Sequence, residues 1–98
     1  MQIQVTLDLS EQSRSFKLKG RLGWAMVQLA NAGKHGITPI TRPAPLWSAY
    51  VFSLKEHGVP IQTVMEAHDG SYPGQHARYV LTCKAKVQIL SPEPEVQP

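Results

Sequence analysis

Two apolar-polar alternating runs, Ile61-Gln62-Thr63-Val64-Met65-Glu66-Ala67 and His76-Ala77-Arg78-Tyr79-Val80-Leu81-Thr82-Cys83, flank His68-Asp69-Gly70-Ser71-Tyr72-Pro73-Gly74-Gln75. Asp, Gly, Ser and Pro in the middle segment set a turn. On the first run Ile61, Thr63, Met65 and Ala67 share one face, and on the second Ala77, Tyr79, Leu81 and Cys83 do. The pair predicts a long-looped β-hairpin with Tyr79 pointing into the core. The alternation continues through Ala85, Val87 and Ile89 against Lys84, Lys86 and Gln88. The second strand is therefore expected to run past the hairpin and to need another partner.

That partner is expected at the N-terminus, where Ile3, Val5, Leu7 and Leu9 alternate with Gln2, Gln4, Thr6 and Asp8. It comes either from the same chain or from a second copy, which would make a homodimer through edge strands. After a connector from Ser10 to Arg14, Phe16 and Leu18 alternate with Lys17 and Lys19 and predict a second short strand.

Between these β segments the period changes. Leu22, Ala25, Met26 and Leu29 recur at three and four residues, predicting a helix over Arg21 to Ala32 with Gly33 as its cap. Trp24 and Val27 widen its apolar surface, so it packs on two neighbours. Gly36-Ile37-Thr38-Pro39-Ile40 reads as a short extended piece. Pro45 suits the first turn of a second helix that runs to about His57 and stops at Gly58. On that helix Leu46, Trp47, Tyr50, Val51 and Leu54 gather on the core side, leaving Ser48, Ala49, Phe52, Ser53 and Glu56 on the other. His57 is a helix-end residue interacting with the dipole.

Length and composition bound the class. Ninety-eight residues suit one domain, and 42% apolar residues are near the globular norm of about 45–50%. The expected organisation is an α+β domain over residues 1–90 and a disordered Pro/Glu tail over 91–98. With Glu93 and Glu95 in that tail, the formal charge of +3 becomes +5 for residues 1–90, which draws a domain toward phosphate backbones. The single Cys83 cannot form an intrachain disulfide, and no secretory leader opens the chain, so the expected setting is cytoplasmic. No apolar run approaches the roughly 20 residues that span a bilayer, so no membrane partner is expected. His35, His57, His68 and His76 show no close ligand pair, and neither a nucleophile motif nor a phosphate loop occurs. Metal, cofactor and catalysis are not expected.

The order helix, extended piece, helix, long-looped hairpin is carried by Gly36-Ile37-Thr38-Pro39-Ile40, Trp47-Ser48-Ala49-Tyr50-Val51-Phe52-Ser53-Leu54 and His76-Ala77-Arg78-Tyr79-Val80-Leu81. Over roughly residues 16 to 83 it resembles the small bacterial and phage winged-helix (winged helix-turn-helix) domains. The resemblance implies two main helices, a β-hairpin wing and binding of double-stranded DNA without catalysis, in a regulatory or accessory protein of phage or mobile-element type. The chain leaves almost no room between Ile40 and Pro45 for the usual middle helix.

Candidate DNA contacts follow. Arg42, Arg78, Lys84 and Lys86, with His68 and His76 bracketing the wing, are expected to form one basic edge. Ser71, Tyr72 and Gln75 offer hydrogen-bonding groups on the wing, and Ser48 and Lys55 lie on the helix. The alternative is a protein-interaction module on the same scaffold, with exposed Phe52 as anchor for a partner protein.

Overall fold

The computed structural model describes residues 2–40, 47–68 and 74–91. Strand β1 spans Gln2–Asp8, β2 Ser13–Lys19, helix α1 Gly20–Ala32, α2 Trp47–Glu56, β3 Ile61–His68, β4 Gly74–Leu81 and β5 Lys84–Ser91. The architecture is α+β with antiparallel sheets, as the alternation and helical periods predict.

Strand β1 is the centre of a three-stranded sheet ordered β2-β1-β5. Its apolar residues stand opposite apolar partners on both sides: Ile3 with Leu18 and Ile89, Val5 with Phe16 and Val87. The pairing with residues 84–91 lies within one chain. With β1 hydrogen-bonded on both sides, the edges of this sheet are β2 and β5. The turn Leu9–Gln12 closes on two backbone hydrogen bonds, of 2.9 and 3.3 Å, so β2 starts at Ser13, inside the expected connector.

The expected single long strand after the hairpin loop is two strands in two sheets. Strand β4 pairs only with β3, and β5 only with β1 among the named strands. The break falls where the Thr82 N–H donates to the Pro60 carbonyl at 3.0 Å, ending the hairpin one residue beyond Leu81. Ser91, assigned to the tail by composition, belongs to β5 and pairs with Gln2. The rest of the expected tail, residues 92–98, lies outside the described residues, as does Pro45, the expected first turn of the second helix.

Helix α1 is sandwiched. Ala25, Met26 and Leu29 are fully buried with Ile3, Val5 and Leu7 of the three-stranded sheet, while Trp24 meets Trp47 of α2 with ring centroids 5.6 Å apart. Each of the larger side chains here, Ile3, Val5, Leu7, Met26 and Leu29, contributes about 1.5–3 kcal/mol. Gly33, at φ 57°, caps α1 with its N–H on the Leu29 carbonyl, and a single 3₁₀ turn, Gly33–His35, follows. On α2, Trp47, Val51 and Leu54 are buried beside Val59, Ile61 and Tyr79, as the wheel predicts. Ile37 then forms an isolated bridge with Tyr79 of β4, through bonds of 2.9 and 2.8 Å. That bridge ties the hairpin to the end of α1.

Candidate nucleic-acid interface

Helix α2 and the β3–β4 hairpin are the elements expected to meet DNA. The side of α2 away from the core exposes Ser48, Ala49, Phe52, Lys55 and Glu56, with Phe52 at 64% exposure. One cation and one carboxylate leave this face electrostatically neutral. It suits base edges or an apolar partner better than a row of phosphates.

The hairpin register puts Glu66 opposite His76, Val64 opposite Arg78 and His68 opposite Gly74, so the two histidines, Glu66 and Arg78 share one face. They are linked. Arg78 Nε donates to Glu66 Oε2 at 2.5 Å, and Arg78 donates again to the His35 carbonyl at 2.6 Å. Glu66 Oε1 lies 3.1 Å from His76 Nε2, and the Nδ1 atoms of His68 and His76 are 2.9 Å apart. In a hydrogen bond between two ring nitrogens one ring donates its N–H and the other accepts. The hydrogen bond from Arg78 holds the Glu66 carboxyl below its ordinary 4.5, with the charges of Arg78 and His76 adding to it against the cost of burial; Glu66 in turn raises the Arg78 guanidinium.

Two expectations are corrected here. His68 and His76, far from lacking a close pair, are brought into contact by the hairpin; among the described residues no group of three or more His, Cys, Asp or Glu side chains is arranged to hold a metal ion. The expected basic edge of Arg42, Arg78, Lys84 and Lys86 is divided between the two sheets, with Arg42 outside the described residues. Arg78 lies on β4, neutralised by Glu66, whereas Lys84 and Lys86 lie on β5 in the other sheet. Arg78 fixes the hairpin against the end of α1 rather than presenting free charge.

Gln75 is exposed on the opposite hairpin face from the histidines, and Ser48 and Lys55 are exposed on α2. Arg42, Ser71 and Tyr72 lie outside the described residues. The partner missed from sequence is Glu66. Its signal was available in the turn, because centring the hairpin on residue 71 sets 66 opposite 76 and fixes the whole face.

The other described arginines are also engaged internally. Arg14 donates to the His57 carbonyl and lies over the Phe16 ring, and Arg21 lies 4.5 Å from the Trp24 ring centroid and donates to the Tyr50 hydroxyl at 3.2 Å. His57 Nδ1 sits 3.0 Å from the Ser53 carbonyl, satisfying the end of α2 as expected, and its ring stacks on Phe16. Burial, with the Asp8 charge behind it, raises the Cys83 thiol above its ordinary value. It is a weak nucleophile at neutral pH.

Among the described residues no helix is long and apolar enough to cross a membrane. Comparison with curated proteins and with solved structures returned no match. The family model of the winged helix domain matches residues 15–91, which takes in both helices, the hairpin and β5. Domains of this kind are typically non-catalytic DNA-binding modules. With helix α2 beside a β3–β4 wing, and most of its length matched, the chain belongs to the winged helix domain family.

Proposed function

We propose that the protein is a non-catalytic, DNA-binding regulatory or accessory protein of phage or mobile-element type, acting in the cytoplasm. The observation that carries the reading is the wing itself: a β3–β4 hairpin bridged through Ile37 and Tyr79 to the end of α1, beside an α2 face free of the core. In this reading Ser48, Lys55 and Gln75 meet the duplex, joined by Arg42, Ser71 and Tyr72, while His68 and His76 shape the hairpin. Arg78 positions the wing through Glu66 and His35.

Phe52 favours a second reading, a protein-interaction module, because a large apolar side chain 64% exposed on a neutral helix face is a ready anchor. Two substitutions separate them. Ala49→Glu adds a carboxylate to the α2 face and is expected to weaken duplex binding by about tenfold, on the scale of one lost charge-assisted contact. Phe52→Ala leaves duplex binding within about threefold in the DNA reading, and removes an anchor of about 2 kcal/mol or more in the other. Duplex binding indifferent to Ala49→Glu would overturn the assignment of α2 to DNA.

A further inference from the structure

The wing and α2 carry little free positive charge, yet the chain is basic. The surplus is concentrated elsewhere. The face of the three-stranded sheet turned away from α1 carries the even-numbered residues of β1, and in register with them Lys17 and Lys19 of β2 and Lys84 and Lys86 of β5. Four of the chain's six lysines therefore share one flat face, all of them exposed. Asp8 is the one acidic side chain among the strand positions of that face.

We propose that this sheet face is a second nucleic-acid contact surface, a lysine track that holds the phosphate backbone of a DNA duplex apart from the helix-and-wing edge. The register spaces the charges deliberately. Lys19 pairs with Gln2 and Lys17 with Gln4, while Lys86 pairs with Thr6 and Lys84 with Asp8, so no two lysines stand side by side. They occupy opposite corners of the sheet and mark a diagonal of roughly 22 Å, from strand rises of about 3.4 Å and spacings of about 4.8 Å. Within each corner the two lysines stand about 7 Å apart. That is inside a Debye length of about 8 Å, so each pair repels itself until an anion sits between them.

None of the four lysines is in a salt bridge among the described residues, in contrast to Arg78. At the Lys84 corner the face passes into a groove of about 890 Å³ around the β4–β5 junction, which Lys34 from the end of α1 also lines. The track thus ends in a fifth cation. The strand positions of the face carry no aromatic side chain on which an unpaired base could stack, and Gln4, Thr6, Ser15 and Gln88 fill the positions between the lysines. That chemistry fits a duplex backbone rather than splayed single-stranded bases.

The proposal rests on the DNA-binding reading, and lysine footprinting separates the two. The full chain is acetylated with and without a 20-base-pair duplex, and each lysine is read by mass spectrometry, with Lys55 reporting the α2 edge. The proposal predicts several-fold protection of Lys17, Lys19, Lys84 and Lys86. In parallel, the variant carrying Lys17→Gln, Lys19→Gln, Lys84→Gln and Lys86→Gln is expected to melt like the parent and to lower the slope of log affinity against log salt by about 3 to 4. Protection of Lys55 alone, with an unchanged slope, overturns the sheet track and leaves the DNA reading standing. No binding of the duplex by the parent overturns both. Equal, salt-dependent binding of a polyglutamate peptide overturns the choice of nucleic acid as occupant.

Discussion

Replacing Gly36 by Ala tests how the wing is held. Gly36 has φ 71° and ψ −176°, a region open to glycine and closed to other residues, where strain costs about 1–3 kcal/mol. Space is missing as well. An added Cβ would lie 2.7 Å from the Tyr79 carbonyl oxygen and 2.8 Å from Val80 Cγ2, and the first of these is backbone that cannot swing aside. Relief requires β4 to withdraw, which loosens the two Ile37–Tyr79 hydrogen bonds, each contributing about 1 kcal/mol. The total is about 3–5 kcal/mol, or a fall in melting temperature of roughly 12–40 °C for a domain of this size. Gly20→Ala is the control: φ is 67°, but no atom lies within 4 Å of the added Cβ, so only about 1–2 kcal/mol is expected. Thermal denaturation followed by circular dichroism reads both. Equal melting temperatures for the two variants would refute the close approach of β4 to residue 36.

Leu7→Ala empties a fully buried position under α1 and should cost about 2–5 kcal/mol in urea unfolding; a cost below 1 kcal/mol would mean that β1 is dispensable. Glu66→Gln should loosen the hairpin, read as faster amide exchange in β4. Because the folded Glu66 pKa is lowered, its contribution is fully present above its ordinary 4.5 and is lost as pH falls through the lowered value. The difference between parent and variant should therefore hold from neutral pH to about 5 and close in stronger acid; a difference that closes near pH 7 would contradict this. Cys83 should react with iodoacetamide more slowly than a free cysteine at pH 8, and equally fast once unfolded in urea; equal rates in the folded protein would show that burial does not restrain it.

The elements were legible because local pattern and tertiary packing agree. Ile3, Val5 and Leu7 alternate cleanly and are all fully buried, and Trp47, Val51 and Leu54 fall on the predicted side of α2. The pairing of β1 with residues 85–90 followed from two alternating segments that each lacked a partner. Alternation could not reveal the break at Thr82–Cys83, because the period of two continues across it while the hydrogen bonds pass from β3 to β1. The candidate site was less legible for the same reason. Placing Arg78, Lys84 and Lys86 on one strand grouped charges that the break assigns to different sheets, and it hid the alliance of Lys84 and Lys86 with Lys17 and Lys19. Side-chain neutralisation is also invisible without a register, so Arg78 read as free charge while Glu66, twelve residues away, went unpaired.

Duplex binding measured by fluorescence anisotropy between about 50 and 200 mM salt tests the DNA-binding reading most directly, since phosphate contacts release counterions in proportion to their number. The account predicts affinity that falls by about sixtyfold or more across that range, a log–log slope of about −3 or steeper. Binding that does not change with salt, or none at the lowest salt, would contradict it.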